Sequence, residues 1–392
     1  MFLLAGAFIV VMLGTTLPTP MYALYAERMH FSVLTTTVIF ATYAVGVLVA
    51  LIGLGSWSDA IGRRPLLLAG AATAAASALV FLFAHSVPEL LIGRLLSGVS
   101  AGIFTGTATA AVIESAPAAW RSRAAVVATV ANTGGLGLGA LLSGMLVQYG
   151  PHPAQLPFAL HLVLVFGAIV AVLSAGETAQ RGGRIGLQRL KVPPQTRTVF
   201  AIAATAAFAG FAIMGLFTAV SPSFVAEVLG ITNHAAAGAL VAALFAASVL
   251  GQVLSRTLTP NTAIAVGCSL LVIGMAILTA ALHFSSLLML IAALSIAGYG
   301  QGMSFSRGLA AVSQRTPPLH RAEVNSAYFV VSYIAISLPV IGVGIAAQGW
   351  GLGPAGESFA AAVMVVAALC LVAVLVEERR TTSHADGRDE DA

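Results

Sequence analysis

Side chains able to do chemistry are few in this chain, and they gather at three places. Gly55-Ser-Trp-Ser-Asp59-Ala-Ile-Gly62-Arg63-Arg64-Pro65 sets an acid, two arginines and turn glycines in a tight link between two long apolar runs. Arg94 stands inside another apolar run, in Arg94-Leu-Leu-Ser-Gly98-Val-Ser-Ala-Gly102, and Glu114 closes that run. A cation within an apolar span is costly and by default marks a functional pathway, so Arg94 is the sharpest single residue. The chemistry on offer is charge pairing and hydrogen bonding. Zinc-like spacing, a phosphate loop, a nucleophile elbow and paired catalytic carboxylates are all missing, so no enzyme, metal or cofactor is expected.

The elements that must hold these groups are membrane helices. Of 392 residues, 59% are hydrophobic and 8% charged, with a mean hydropathy of +0.98. About a quarter of an ordinary soluble protein is charged, so a soluble globule is excluded. The net charge of +4 is spread over short loops, which reads as topology control rather than a nucleic-acid surface. No cleavable signal peptide is expected ahead of the first apolar run. Cys268 and Cys370 fall inside apolar runs and read as small packing residues, not as a disulfide or metal pair.

Apolar runs long enough to cross a bilayer give twelve expected spans, at 2–24, 35–57, 66–84, 89–113, 124–148, 156–175, 198–220, 235–256, 262–282, 286–309, 323–348 and 357–376. The organisation is a first half over 1–175, a linker over 176–197, a second half over 198–376 and a disordered tail over 377–392. With both ends inside the cell, 16 of the 18 Lys and Arg residues lie in inner loops, linker or tail. The linker holds Arg181, Arg184, Arg189, Lys191 and Arg197, and only Arg28 falls outside. That asymmetry orients the chain. An offset of 196 maps Gly55, Gly102 and Gly106 onto Gly251, Gly298 and Gly302, as two parallel repeats would.

The loop pattern G-x-x-x-D-x-x-G-R-R, formed by Gly55, Asp59, Gly62, Arg63 and Arg64 after the second span, resembles the signature loop of the major facilitator superfamily of transporters. The R-x-x-x-G-x-x-x-G run from Arg94 is similar to that family's fourth-span motif. The resemblance implies an all-α membrane fold of two six-helix pseudo-symmetric bundles with a mid-membrane cavity opened alternately to each side. It implies that Asp59, Arg63 and Glu114 form a latch joining spans two, four and eleven in the outward-facing state. It implies that Arg94 takes part in proton or substrate coupling. The first span departs from drug antiporters of the family: it has no acid before Glu27, and carries Pro18 and Pro20 instead. The fifth span has their glycine density without their proline.

Further candidate cavity ligands are Thr105, Thr109, Asn132, Gln252, Tyr299, Gln301 and Tyr328. Glu27, beside the outer end of span one, is a candidate proton carrier able to approach Arg94, with Glu89, Glu114 and Glu227 (in the loop after span seven) as rivals. His161 reads as packing. The reading is a monomeric secondary transporter in a bacterial inner membrane, ends in the cytoplasm, using protons to export a small amphipathic or weakly acidic organic molecule. The alternatives are uptake of a nutrient such as a small carboxylate, by symport or uniport, and a non-transporting membrane sensor.

Overall fold

A computed structural model of the chain describes residues 1–179, 182 and 185–389, with side chains through 379. The expected linker cations Arg181 and Arg184 lie outside the described residues. Twelve helices are long and apolar enough to cross a membrane: Phe2–Met29, Val33–Leu54, Arg63–Leu82, Val87–Glu114, Ala124–Tyr149, Leu156–Ser174, Pro194–Glu227, His234–Thr257, Pro260–His283, Leu287–Arg315, Pro318–Trp350 and Leu352–Arg379. They are called spans one to twelve below. No strand occurs among the described residues. Helices are what a bilayer demands, because lipid offers no partner to a free N–H or C=O.

The chain is an all-α, multi-pass membrane protein, as expected. Several helices outrun their apolar cores. Span seven continues to Glu227, so Glu227 ends a helix rather than sitting in a loop. Span ten continues to Arg315, which leaves Arg307 two turns inside it. Hydropathy falls where the chain leaves the apolar slab, but the hydrogen-bonded ladder runs on until a breaker, such as Gly230 with φ +67°. The last helix has a continuous backbone to Asp389, so residues 377–389 of the tail expected to be disordered are helical instead. Helix starts are capped by side chains: Ser32 accepts from Thr35 N at 3.4 Å and Asn233 from Ala236 N at 3.1 Å.

Packing repeats between the halves. Spans two and four, three and four, three and six, one and five, and one and six pack together, and each pair has its counterpart six spans later. The halves meet chiefly at two seams, span two against eleven and span five against eight, which the same six-span shift exchanges; span seven also packs on spans one and two. This is the packing of two parallel repeats about an axis along the membrane normal.

The two faces differ. Both described ends of the chain lie on one face, here the terminal face. Toward the opposite face, one continuous apolar cluster includes Leu17, Met21 and Tyr22 of span one, Phe40 of span two, Phe217 and Phe224 of span seven, and Leu244 of span eight. Toward the terminal face each half keeps its own core. Val47, Leu67 and Phe104 belong to the first, and Val324 and Tyr328 to the second. Tyr333 and Phe329 of span eleven still touch the first half at mid-depth. The halves are therefore sealed together on the opposite face.

Small residues set that seal. A Cβ on Gly144 of span five would lie 2.7 Å from the His234 carbonyl and 3.2 Å from Gly238 Cα of span eight. Gly144→Val should wedge this seam apart. In a background lacking Cys268 and Cys370, a cysteine placed at buried Leu240 should then react with maleimide several-fold faster. An unchanged rate would show that the seam does not hold the face closed.

Candidate functional site

Span one breaks at Leu17, because Pro18 and Pro20 bring no N–H to the ladder. A single turn at Thr19–Met21 leads into the distal helix Tyr22–Met29. Carbonyls at the break find donors on other spans. Leu17 O accepts from Ser143 Oγ at 2.6 Å, and Thr15 O accepts from Arg94 Nη1 at 2.6 Å. Arg94 is 1% exposed. Its guanidinium carbon lies 5.8, 5.3 and 5.1 Å from the ring centroids of Tyr22, Phe40 and Tyr43. This is an aromatic cage of the kind that holds cations. Among the described residues no carboxylate pairs with it: the ion pairs are Arg63 with Asp59, Arg63 with Glu114, and His320 with Glu323.

Glu27 does not fill that role. It is exposed near the end of span one and has no contact with Arg94, because the helix after the break carries it to the opposite face. Glu89 is committed to the start of span four, where it accepts from Ser86 N at 3.0 Å in a capping box.

The cage reaches the second half through Tyr43. Its ring meets that of Tyr333 on span eleven edge-on, with centroids 6.4 Å apart. Thr105 of span four is buried, and its hydroxyl has no hydrogen-bond partner among the described residues. Thr109 bonds back to its own helix, to Thr105 O at 2.7 Å. On the other seam, Val130–Gly134 forms a π-helical turn in span five, a local irregularity frequent at functional sites. Asn132 is half-buried in it. Its neighbour Thr133 accepts from Gln252 Nε2 at 3.2 Å, across to span eight. Gln252 also donates to Ser248 Oγ at 3.2 Å, and Ser248 donates to Gln301 Oε1 at 2.6 Å. A chain of neutral polar groups thus crosses the seam into span ten. Tyr299 is half-buried on that span. Tyr328 departs from expectation: it lies wholly inside the second half's core, stacked on Phe305 and donating to Phe305 O at 3.2 Å. Its hydroxyl is spent within its own half.

On the terminal face the expected trio does assemble. A short helix, Trp57–Ile61, follows span two and ends at Gly62 with φ +113°, a value few other residues adopt. This turn brings Arg63 back over Asp59, with Nη1 to Oδ1 at 2.7 Å. The same guanidinium meets Glu114 Oε1 at 3.0 Å and donates to Ser58 Oγ at 2.6 Å. Arg64 donates to the Leu173 carbonyl of span six. Span eleven supplies no described member of this cluster.

Its further members come instead from the segment after span six, and the sequence reading missed them. Glu177 accepts from Arg63 N at 2.8 Å and Arg64 N at 3.3 Å, capping span three, while Thr178 donates to Glu114 at 2.8 Å. Farther on, Ser56 donates to Gly186 O at 2.7 Å and Gln188 N donates to Ile52 O at 2.8 Å. The linker is strapped onto the loop. A lone acid just past an apolar run was the only available signal.

Twelve spans in two symmetric halves, a sealed face, and charges arranged to bind rather than to break bonds define a membrane transporter. The chain belongs to the major facilitator superfamily, whose profile matches residues 4–340. It is 27% identical to the multidrug transporter MdfA of Edwardsiella ictaluri over 316 residues, 77% of this chain and 75% of that one. It is 27% identical to multidrug resistance protein 2 of Bacillus subtilis over 173 residues, 44% of this chain and 41% of the relative. It is 34% identical to the class B tetracycline resistance protein of Escherichia coli over 125 residues, 31% of this chain and 29% of the relative. The match to the Bacillus protein thus spans about two fifths of that relative's length.

Partial burial works against the charged form of Glu177, but the amides of Ala179, Arg63, Arg64 and Thr178 outweigh it and hold the carboxyl below the usual glutamate range. A lowered carboxyl stabilises the docked strap above the usual range, and that contribution fades as pH falls through the lowered value. Amide exchange at Arg63 and Arg64, corrected for intrinsic rates, should therefore quicken on acidification. Glu177→Gln should be fast throughout. A wild type whose protection ignores pH would contradict this role for Glu177.

Proposed function

We propose that this protein is a secondary exporter of small amphipathic organic compounds, driven by protons and working by alternating access. The observation that carries the reading is the asymmetry of its core: one cluster spans both halves on the opposite face, and separate cores lie on the terminal face. The loop cations make the terminal face cytoplasmic in a cell's inner membrane. The conformation then reads as closed outward, with the halves parted inward. Multidrug and tetracycline resistance proteins among the relatives support export.

In this scheme Asp59, Arg63 and Glu114 are the inner latch. Span eleven is free of it here, as fits a conformation whose inner ends are apart, and joins it when the inner side closes. Arg94 ties spans one, two and four together beneath the outer seal, and Tyr43 carries its position to Tyr333 across the seam.

Described acids sit at the rims of the bilayer, so the proton must exchange at a rim. Glu114 is the candidate, since its ionised form is what holds Arg63, and protonation would release the latch. Its side chain is 35% exposed and open to protons from the cytoplasm.

Four variants test the scheme in proteoliposomes. Arg94→Ala should abolish concentrative transport with insertion intact, and Arg94→Lys should restore only part of it, because a point charge does not replace a planar fork. Glu114→Gln should keep substrate exchange, which needs only alternating access, and lose accumulation driven by a pH gradient. Glu27→Gln should behave as wild type. Full pH-driven accumulation in Glu114→Gln would remove the proposed proton site, and full activity of Arg94→Ala would sink the role of Arg94.

A further inference from the structure

Four buried polar atoms around the distal end of span one have no hydrogen-bond partner among the described residues: Thr19 Oγ1, Tyr22 Oη, Tyr25 Oη and Arg94 Nε. Their residues are at most 2% exposed. Thr19, Tyr22 and Tyr25 recur every third residue, so they share one side of the distal segment. Arg94 lies against the ring of Tyr22, its guanidinium carbon 5.8 Å from the ring centroid.

Each such orphan costs roughly 1–3 kcal/mol, and charged groups more. Native proteins carry a few such orphans per hundred residues, and each calls for a reason; Thr105 Oγ1 and Ser221 Oγ are others within the spans of this protein. The four share one chemical character. A guanidinium only donates, and each hydroxyl has a proton to give with no carboxylate within reach. A group offering several acceptor oxygens and a negative charge would satisfy them together. A cation would be repelled, and a neutral amide would leave the guanidinium uncompensated.

The cluster belongs to the sealed side of the molecule. Tyr22 and Tyr25 are part of the apolar cluster shared by both halves, and the Thr19–Met21 turn packs on span seven. Parting the halves on the opposite face would uncover all four donors at once. We infer that Thr19, Tyr22, Tyr25 and Arg94 form an anion subsite, collapsed in this conformation, that takes the carboxylate or sulfonate group of the transported compound when the opposite face opens. This rests on the transport reading and narrows its substrate class to organic anions.

Equilibrium dialysis of the purified protein in nanodiscs against radiolabelled benzoate, benzenesulfonate and benzamide tests it. Both anions should bind and benzamide should not. Tyr22→Phe and Tyr25→Phe should each weaken the anions about tenfold, the scale of one charge-assisted hydrogen bond, and Arg94→Gln should abolish binding. A merely structural hydroxyl would cost stability when removed. Here the two Phe variants should unfold at the same temperature as wild type or higher, since each loses an orphan. Equal binding of benzamide, no anion binding by wild type, or undiminished anion affinity in both Phe variants would overturn the subsite. Exchange of the same compounds across proteoliposomes separates the two readings. Anion binding without any exchange keeps the subsite and sinks transport, and benzamide exchange without anion binding does the reverse.

Discussion

Every backbone N–H and C=O in a bilayer must find its partner within the protein, and this architecture follows from that constraint. It forbids open sheet edges and lipid-exposed loops at depth, and it makes any break in a helix a commitment elsewhere. The break in span one shows the cost and the use. Once Pro18 and Pro20 interrupt the ladder, carbonyls at the break are held by Ser143 of span five and Arg94 of span four. The irregular segment thereby fixes three spans relative to one another. Arg94 is tolerated at that depth because a broken helix and three aromatic rings receive it.

The same constraint explains the division of labour between the two faces. Where the halves meet at depth, contact is made by glycines in close approach and by neutral groups such as Thr133, Gln252, Ser248 and Gln301. Contacts of this sort can be exchanged without exposing a bare charge to lipid. Full charges gather at the terminal face, where water can take them up when a pair breaks. In exposed pairs the energy is modest, so each of these pairs can break at little cost.

Much of the fold was legible in the sequence, because the rule that writes a membrane span is one-dimensional. Length and hydropathy located twelve spans. The trio of Asp59, Arg63 and Glu114 was legible through the loop motif. What stayed hidden depended on distance in three dimensions. Glu177 carries no motif, and only the turn at Gly62 brings the amides of Arg63 and Arg64 to it. The aromatic cage draws on spans one and two, and no local pattern ties Tyr22, Phe40 and Tyr43 to a cation on span four. Tyr328 was misplaced for the converse reason: helical position alone does not say which side of span eleven faces its own half. Glu27 sits near the end of span one, and only the packed structure shows it exposed and without an ion pair to Arg94.

The strapping of the linker has a mechanical consequence. Between span six and span seven the chain is long on paper, yet Ser56 and Ile52 pin it to the first half as far as Gln188. Span seven begins at Pro194. The leash joining the two halves is therefore residues 189–193, about 17 Å when fully extended. So short a tether keeps the halves at high effective concentration and caps how widely their inner ends can gape. Undocking the strap would lengthen the leash without altering a single contact between the bundles.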